Sequence, residues 1–440
     1  MATLLETYKN RLAISEKVYS KSHAGEALPQ IKKLTTARCL DNVNKFINES
    51  FENSTGTQRA DLGEFKRFTL NLITVAIPSL IAFDLVIVQP MTSITGYISY
   101  VKYTAGSNKG STTQGTVFND PFKLGSVDVN YTASRVVETA TLAAEGKATL
   151  MWGPVMVTAD GKLAEGKIVK VADGSEITDY TVTKEGALTV NAGAVQGDEV
   201  KVAYVYDNVV IPQNDLPILN AEMAGIALQA KARRIAIYYS QIAAFQAKTD
   251  YGFDLGDQLA EKAVGQLNYE VDTEVTDLLI NNASQADELV WSKTLPVGVS
   301  KMEHYAGFTE MVEIGKQKIY DRTKRFAPNY MLIASNILPI LSFVPDFKAA
   351  PTGQINGPYF AGTLNGLKVF VTPNIEPGKF VLGVNGSDLQ SSAAVYAPYM
   401  PVVPTSLLQF ADGANSQGFS TMYDLKLLNA DLLVAGRVTA

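Results

Sequence analysis

The chain is poor in the residues most enzymes use for chemistry. Its 440 residues include one cysteine, Cys39, and two histidines, His23 and His304. One cysteine excludes an intrachain disulfide framework and a thiolate metal site. Two histidines leave imidazole acid–base chemistry almost without material. Charge is scarce as well, at 19% of residues against roughly 25% in ordinary soluble proteins. The net charge of −6 argues against a general nucleic-acid binder, which needs a surplus of Lys and Arg against phosphate. The longest uncharged stretch, residues 389–411, contains Pro398, Pro401 and Pro404 and cannot be one membrane-spanning helix. The opening residues carry Glu6, Lys9 and Arg11 without the apolar centre of a secretory leader. The expectation is a protein made in a reducing cytoplasm, with no membrane, no cofactor and no metal.

Motifs of catalysis are missing too. The sequence has no Gly-x-Ser-x-Gly elbow, no His-Glu-x-x-His pair and no Gly-x-Gly-x-x-Gly turn. Residues 106–112 (GSNKGST) have the glycines of a phosphate loop but not its Gly-Lys-Ser/Thr order, and read better as a flexible tip. His304 has no partner signature and reads as a helix residue. Glu270, Glu274 and Asp277 share a helix face and could hold a hard cation, but a solvated acidic face explains them with fewer assumptions. Lys316, Lys318, Arg322, Lys324 and Arg325 crowd one helix end, where cations complement the macrodipole. The reading is of a chain that is not an enzyme.

What is present is apolar surface: 46% hydrophobic residues with 20 tyrosines, a composition suited to extensive subunit contact. The chain divides into unlike segments. Residues 1–63 look like an arm. Leu4, Leu5, Tyr8 and Leu12 fit one helical face and Cys39, Val43, Phe46 and Ile47 another, joined by polar connections. Two such helices must dock on something else or remain mobile. Residues 64–87 turn strongly apolar. Residues 88–135 read as a projecting hairpin, its strands over 96–104 and 126–132, with a solvated tip at 105–116 rich in Gly, Ser, Thr and Asn. That tip is expected to be removable without unfolding the chain. Residues 140–206 read as a separate all-β unit, punctuated by Asp160-Gly161, Asp173-Gly174, Glu185-Gly186 and Gly197-Asp198.

Residues 215–300 carry a strand-like run at Ile235–Tyr239 and then the longest helical pattern, over about 255–284. There Leu259, Ala263, Leu267, Val271, Val275 and Leu279 keep a three-to-four spacing, and Asp254 or Asp257 can cap the start. A second helix is expected over 307–325, and short strands mix with loops through 301–425 before a last strand in 426–440. The fold class is α+β with an all-β insertion.

Several stretches then carry a resemblance. Residues 79–91 (SLIAFDLVIVQPM), with Thr95-Gly96 beyond, resemble the segment before the extended loop of major capsid proteins of T-even-type tailed phages. Residues 229–240 (QAKARRIAIYYS), 330–341 (YMLIASNILPIL), 359–371 (YFAGTLNGLKVFV), 395–404 (VYAPYMPVVP) and 418–425 (GFSTMYDL) are similar to later segments of that family, in its order. The resemblance implies the Hong Kong 97-like phage capsid fold: an N-terminal arm, an extended loop, a peripheral domain with a long spine helix, and an axial domain. It implies a subunit that assembles with itself into hexamers and pentamers of an icosahedral head around double-stranded DNA, held without sequence-specific contacts. Implied partners are portal, scaffold, prohead protease and decoration proteins. It also implies a protease cut after Glu in a Leu/Ile-x-Glu context, met at Glu49 and alternatively at Glu64. A pentamer-only vertex protein of the same fold is the alternative, and a β-rich adhesin or hydrolase the alternative from another class.

Overall fold

The structure is a computed structural model that describes residues 2–22, 26–52, 69–70, 72–74, 76–77, 80–119, 128, 130–193, 195–209, 216–350, 357–405 and 407–439. Glu64 and the rest of 53–68 lie outside the described residues. The chain divides into two compact units, Met1–Ile98 with Ile226–Ala440, and Ser99–Gly225.

In the first unit a seven-stranded sheet runs in the order Ser284–Ser292, Leu433–Thr439, Lys379–Gly383, Tyr330–Ala334, Leu367–Thr372, Tyr359–Leu364, Phe347–Ala349. Its centre, Tyr330–Ala334, is buried at every position and pairs in parallel with 367–372 and antiparallel with 379–383. A strand covered on both faces reads as a continuous apolar run, as YMLIA does. A second sheet sets Ile87–Val88 beside Ala394–Pro404, then Ala414–Leu427, then Lys231–Ser240 at the edge. The register Ile87↔Val395 brings two of the family-like segments, 79–91 and 395–404, side by side.

The long helix spans Leu255–Asn282, 28 residues, or about 42 Å at 1.5 Å each. Asp254 is the cap, accepting from the N–H groups of Gly256 and Asp257. Ala260, Ala263, Val264, Leu267, Val271, Val275 and Leu279 face the core. The second helix differs from its expected span: it begins at Lys301 with a Ser300–Glu303 capping box, breaks at Gly307, and resumes over Phe308–Thr323. Gly315 is forced there by packing, since a Cβ would lie 2.3 Å from Leu382 Cδ1 and 2.8 Å from Leu289 Cδ1.

The arm is better packed than its polar connections suggest. Helices Ala2–Thr7, Lys9–Ser22 and Gln30–Glu52 contribute Tyr8, Leu12, Cys39, Leu40, Val43 and Ile47 to the same core as Phe83, Leu267 and Tyr396. Asn42 Nδ2 donates to the carbonyls of Met91 and Tyr399 at 2.7 and 3.0 Å.

In the second unit, two small sheets enclose a core of Val136, Leu150, Trp152, Ile168, Val182, Leu188, Val200, Val202, Tyr204 and Tyr206. One runs Arg135–Thr141, Glu199–Val205, Gly166–Lys170, Glu176–Ile177, and the other Lys147–Thr149, Ala187–Val190, Tyr180–Val182. Gly161, Gly174, Gly186 and Gly197 all take positive φ at the turns marked in the sequence. Strand Arg135–Thr141 pairs along its whole length with Glu199–Val205, so this body begins at 135 and not at 140.

The hairpin also differs from expectation. Strand Thr95–Ala105 lies between Leu219–Gln229 and the short Val117–Asn119, so its long partner comes from far along the chain and not from 126–132. Residues 126, 127 and 129 of the expected strand lie outside the described residues; at Asp128 the Tyr131 N–H donates to its carbonyl at 3.1 Å and the Asn130 N–H to its carboxylate at 2.9 Å, a local turn.

Candidate functional site

Charged groups buried in a charge-poor chain mark the places where structure is most constrained. Three of them, none anticipated, tie separate segments together.

The first is Lys109, expected in a solvated tip. It is 2% exposed, and its ammonium donates to the carbonyls of Tyr131 and Ala133 at 2.8 and 2.5 Å and to the Tyr206 hydroxyl at 2.7 Å. The rings of Tyr206 and Trp152 lie 5.0 and 5.3 Å from Nζ. Burial lowers the pKa of this amine. The polar stretch 105–116 is therefore anchored by its one lysine into the β body, and cutting it out would take the shared donor from Tyr131, Ala133 and Tyr206. The expectation of a removable tip is corrected on this ground.

The second is Lys32 in the arm, whose ammonium meets Asp84 Oδ1 at 2.7 Å and the Tyr19 hydroxyl at 3.2 Å. Lys368 Nζ stands 3.9 Å from the same carboxylate oxygen and 3.1 Å from Glu26. Burial lowers the pKa of Lys32 against the opposing pull of Asp84.

The third is Asp272, on the buried side of the long helix. The N–H groups of Ile81 and Ala82 donate to its Oδ1 at 3.0 and 3.2 Å. Burial pushes its carboxyl up to about 7, helped by the charge of Asp84 and opposed by those two N–H bonds. A signal for these groups existed in the sequence. Asp84 is the only charge in SLIAFDLVIVQPM, Asp272 follows Val271 in the apolar stripe, and Lys32 extends the stripe of Thr36, Cys39, Val43 and Ile47 by one turn.

The residues weighed from sequence have plainer roles. The cation facing Glu270 and Glu274 is the guanidinium of Arg233, with the Tyr423 hydroxyl also donating to Glu274. His304 stacks on Trp291 at 4.9 Å and its Nε2 lies 2.9 Å from the Ser292 carbonyl. In the basic cluster, Lys316 donates to Glu313 and the Asn365 carbonyl, and Arg322 to the Leu433 carbonyl. Glu49, the first of the two glutamates in a protease context, lies within a helix that runs on to Glu52. Among the described residues no cluster of three His, Cys, Asp or Glu is placed to hold a metal.

Together these features define a mixed α+β protein whose buried charges tie distant segments of one chain to each other. The family described as major capsid protein Gp23 matches residues 62–435. The chain belongs to that family, the major capsid proteins of tailed phages, and its place is the capsid of the virion. It is 25% identical over 395 residues to the major capsid protein of Vibrio phage KVP40, covering 81% of this chain and 75% of that one. To the major capsid protein of Enterobacteria phage T4 it is 22% identical over 417 residues, covering 81% and 74%. Among solved structures, the capsid of Myoviridae phage XM1 matches at 8% identity over 52% of this chain and 81% of that chain, with a TM-score of 0.35. That value is too low for the fold to be read from it.

Proposed function

We propose that copies of this chain, without catalytic activity of their own, close into the hexamers and pentamers of an icosahedral head in the Hong Kong 97-like arrangement. The head encloses double-stranded DNA and is assembled in the host cytoplasm with portal, scaffold and prohead protease. The observation that carries the reading is the hairpin. Val101, Tyr103, Leu219 and Met223 are exposed on its strands, Met223 at 80%, and neither hydrophobic core includes a residue of Thr95–Ala105 or Leu219–Gln229. A ribbon of two long strands and one of three residues, with apolar side chains in water and no share in either core, is poorly packed alone, and a neighbouring copy that covers it supplies the missing packing.

Electron microscopy of the purified chain tests this: shells or tubes are expected. Val101→Glu with Met223→Glu should leave a folded chain that assembles poorly, and normal shells from that variant refute the hairpin's role. Of the two glutamates in a protease context, Glu49 lies in a helix that would have to unwind to enter an extended cleft. The intact mass of the virion protein decides: a chain still beginning at residue 1 rules out either cut.

A further inference from the structure

We infer that a second contact between copies of this chain lies at one end of the second sheet, where a fifth strand, Leu408–Gln409, pairs with Ala414–Leu427, and that it is formed by Tyr238, Ile242, Phe245, Leu408 and Phe410. The inference rests on the capsid reading and adds a surface to it.

The helix Gln241–Asp250 carries the argument. A surface helix ordinarily turns its large apolar residues inward and its polar ones to water. Here the order is inverted. Ala247 is buried and Ala243 and Ala244 half-buried, while Ile242 and Phe245, one turn apart, stand 73% and 70% exposed. The sheet beside it repeats the pattern. Tyr238 and Leu408 are both cross-strand partners of Ser416, so the three lie in a row on one face. Ser416 is buried between its neighbours, while Tyr238 and Leu408 project into water. The Phe410 ring stacks on Tyr238 at 6.3 Å and 17°. The N–H of Gln241 donates to the Gly413 carbonyl at 3.0 Å, fixing the start of the helix against the turn after Phe410.

The occupant follows from charge and area. Residues 235–247 and 389–411, which supply all five side chains, contain no charged residue. Such a surface has nothing to offer phosphate, and a second copy meets it without opposing like charges. The five side chains expose about 600 Å² between them, most of the roughly 800 Å² that one partner brings to a standard interface. A chain whose family forms capsids meets other copies of itself at high local concentration.

Cysteine labelling tests this without interference, because Cys39 is fully buried and burial pushes its thiol up to about 12, leaving it unreactive. Phe245→Cys in the full chain should react readily with a maleimide in unassembled subunits and at least tenfold more slowly in shells grown from this chain alone. Ile242→Glu with Phe245→Glu should give folded subunits, by circular dichroism, that form no shells. Equal labelling rates in subunits and shells, or normal shells from the double variant, overturn the proposal. Protection in virions but not in shells of this chain alone assigns the surface to another virion protein and overturns it too. Failure of the unaltered chain to assemble under any condition would sink the assembly reading itself, and this contact with it.

Discussion

Lys32 and Lys109 are both buried cations, 7% and 2% exposed, yet the regions around them solve the problem differently. In the arm, Lys32 faces a full opposite charge, Asp84, with the Tyr19 ring 4.4 Å beneath it. In the β unit, Lys109 has no carboxylate within ion-pair distance among the described residues. Two carbonyls, a phenol and two aromatic rings surround it, and Asp128 acts only through its field. An ion pair repays desolvation with one strong attraction, whereas a cage of dipoles repays it by geometry, each acceptor contributing a share. The arm junction is therefore the more sensitive to losing a charge, and the β junction to losing an acceptor.

Removing the cations should separate the two most widely. Lys32→Met takes the 2.7 Å partner from buried Asp84 and leaves the more distant Lys368. A loss of about 3 kcal/mol is expected, the lower end for a broken buried pair, read as a fall in the urea midpoint. An unchanged midpoint would show that Lys368 replaces Lys32 fully. A third buried group, Asp272, extends the comparison to a carboxylate held by dipoles alone. Its folded pKa, about 7, lies above its ordinary 3.8. The folded state therefore holds a proton that the unfolded chain releases between those values. Stability from this group is complete below pH 3.8, falls by about 1.4 kcal/mol per pH unit through the window, and levels off above pH 7. Both N–H bonds end on Oδ1, so Asp272→Asn keeps them without the charge. That variant should resemble the parent at pH 4 and outlast it at pH 8; equal midpoints at pH 8 would show that the carboxyl ionises without penalty.

Lys109→Met should cost less, about 1–3 kcal/mol, because it strands neutral acceptors and not a charge. Hydrogen exchange would locate the effect: amides of Glu199–Val205 should lose protection while those of Tyr330–Ala334 keep theirs. Uniform loss would contradict a junction local to the β unit.

The same contrast explains what could be read from the sequence. The long helix was legible because Ala263, Leu267, Val271, Val275 and Leu279 repeat at its own period, and Asp254 announces its start. The four acidic–Gly turns of the β body were legible because positive φ selects glycine. Lys109 was hidden because its acceptors stand 22, 24 and 97 positions away. A run of Gly, Ser, Thr and Asn carries no local mark of burial. The turn at Asp128 was hidden for the same reason: an alternating Val-x-Val-x-Tyr pattern fits a strand, but the Asp128 carboxylate accepts from the N–H of Asn130, two residues on. The reach of the arm helix was hidden because Asn48 and Glu49, polar as a loop would be, lie on the open side of a helix whose other side is apolar.

Removing the same atom, a phenol oxygen, from each junction gives the smallest effect expected, at the arm, and the sharpest test of the comparison. Each lysine donates to a phenol that donates onward: Tyr19 to Asp84 at 3.4 Å, Tyr206 to the Ala133 carbonyl at 3.3 Å. If the arm junction depends on charge, Tyr19→Phe deprives Lys32 of a 3.2 Å contact but leaves the ion pair and most of the ring beneath it. A loss of about 0.5–1 kcal/mol is expected, that of an ordinary hydrogen bond. If the β junction depends on its set of acceptors, Tyr206→Phe removes one of three at 2.7 Å from a cation with no counter-charge to fall back on. About 1.5–3 kcal/mol should follow, the range for a bond to a charged group. Urea midpoints of the two variants, measured against the parent at pH 6, decide the order. A Tyr19 variant as damaged as the Tyr206 variant would mean that the phenols, and not Asp84, hold the buried lysine in both places.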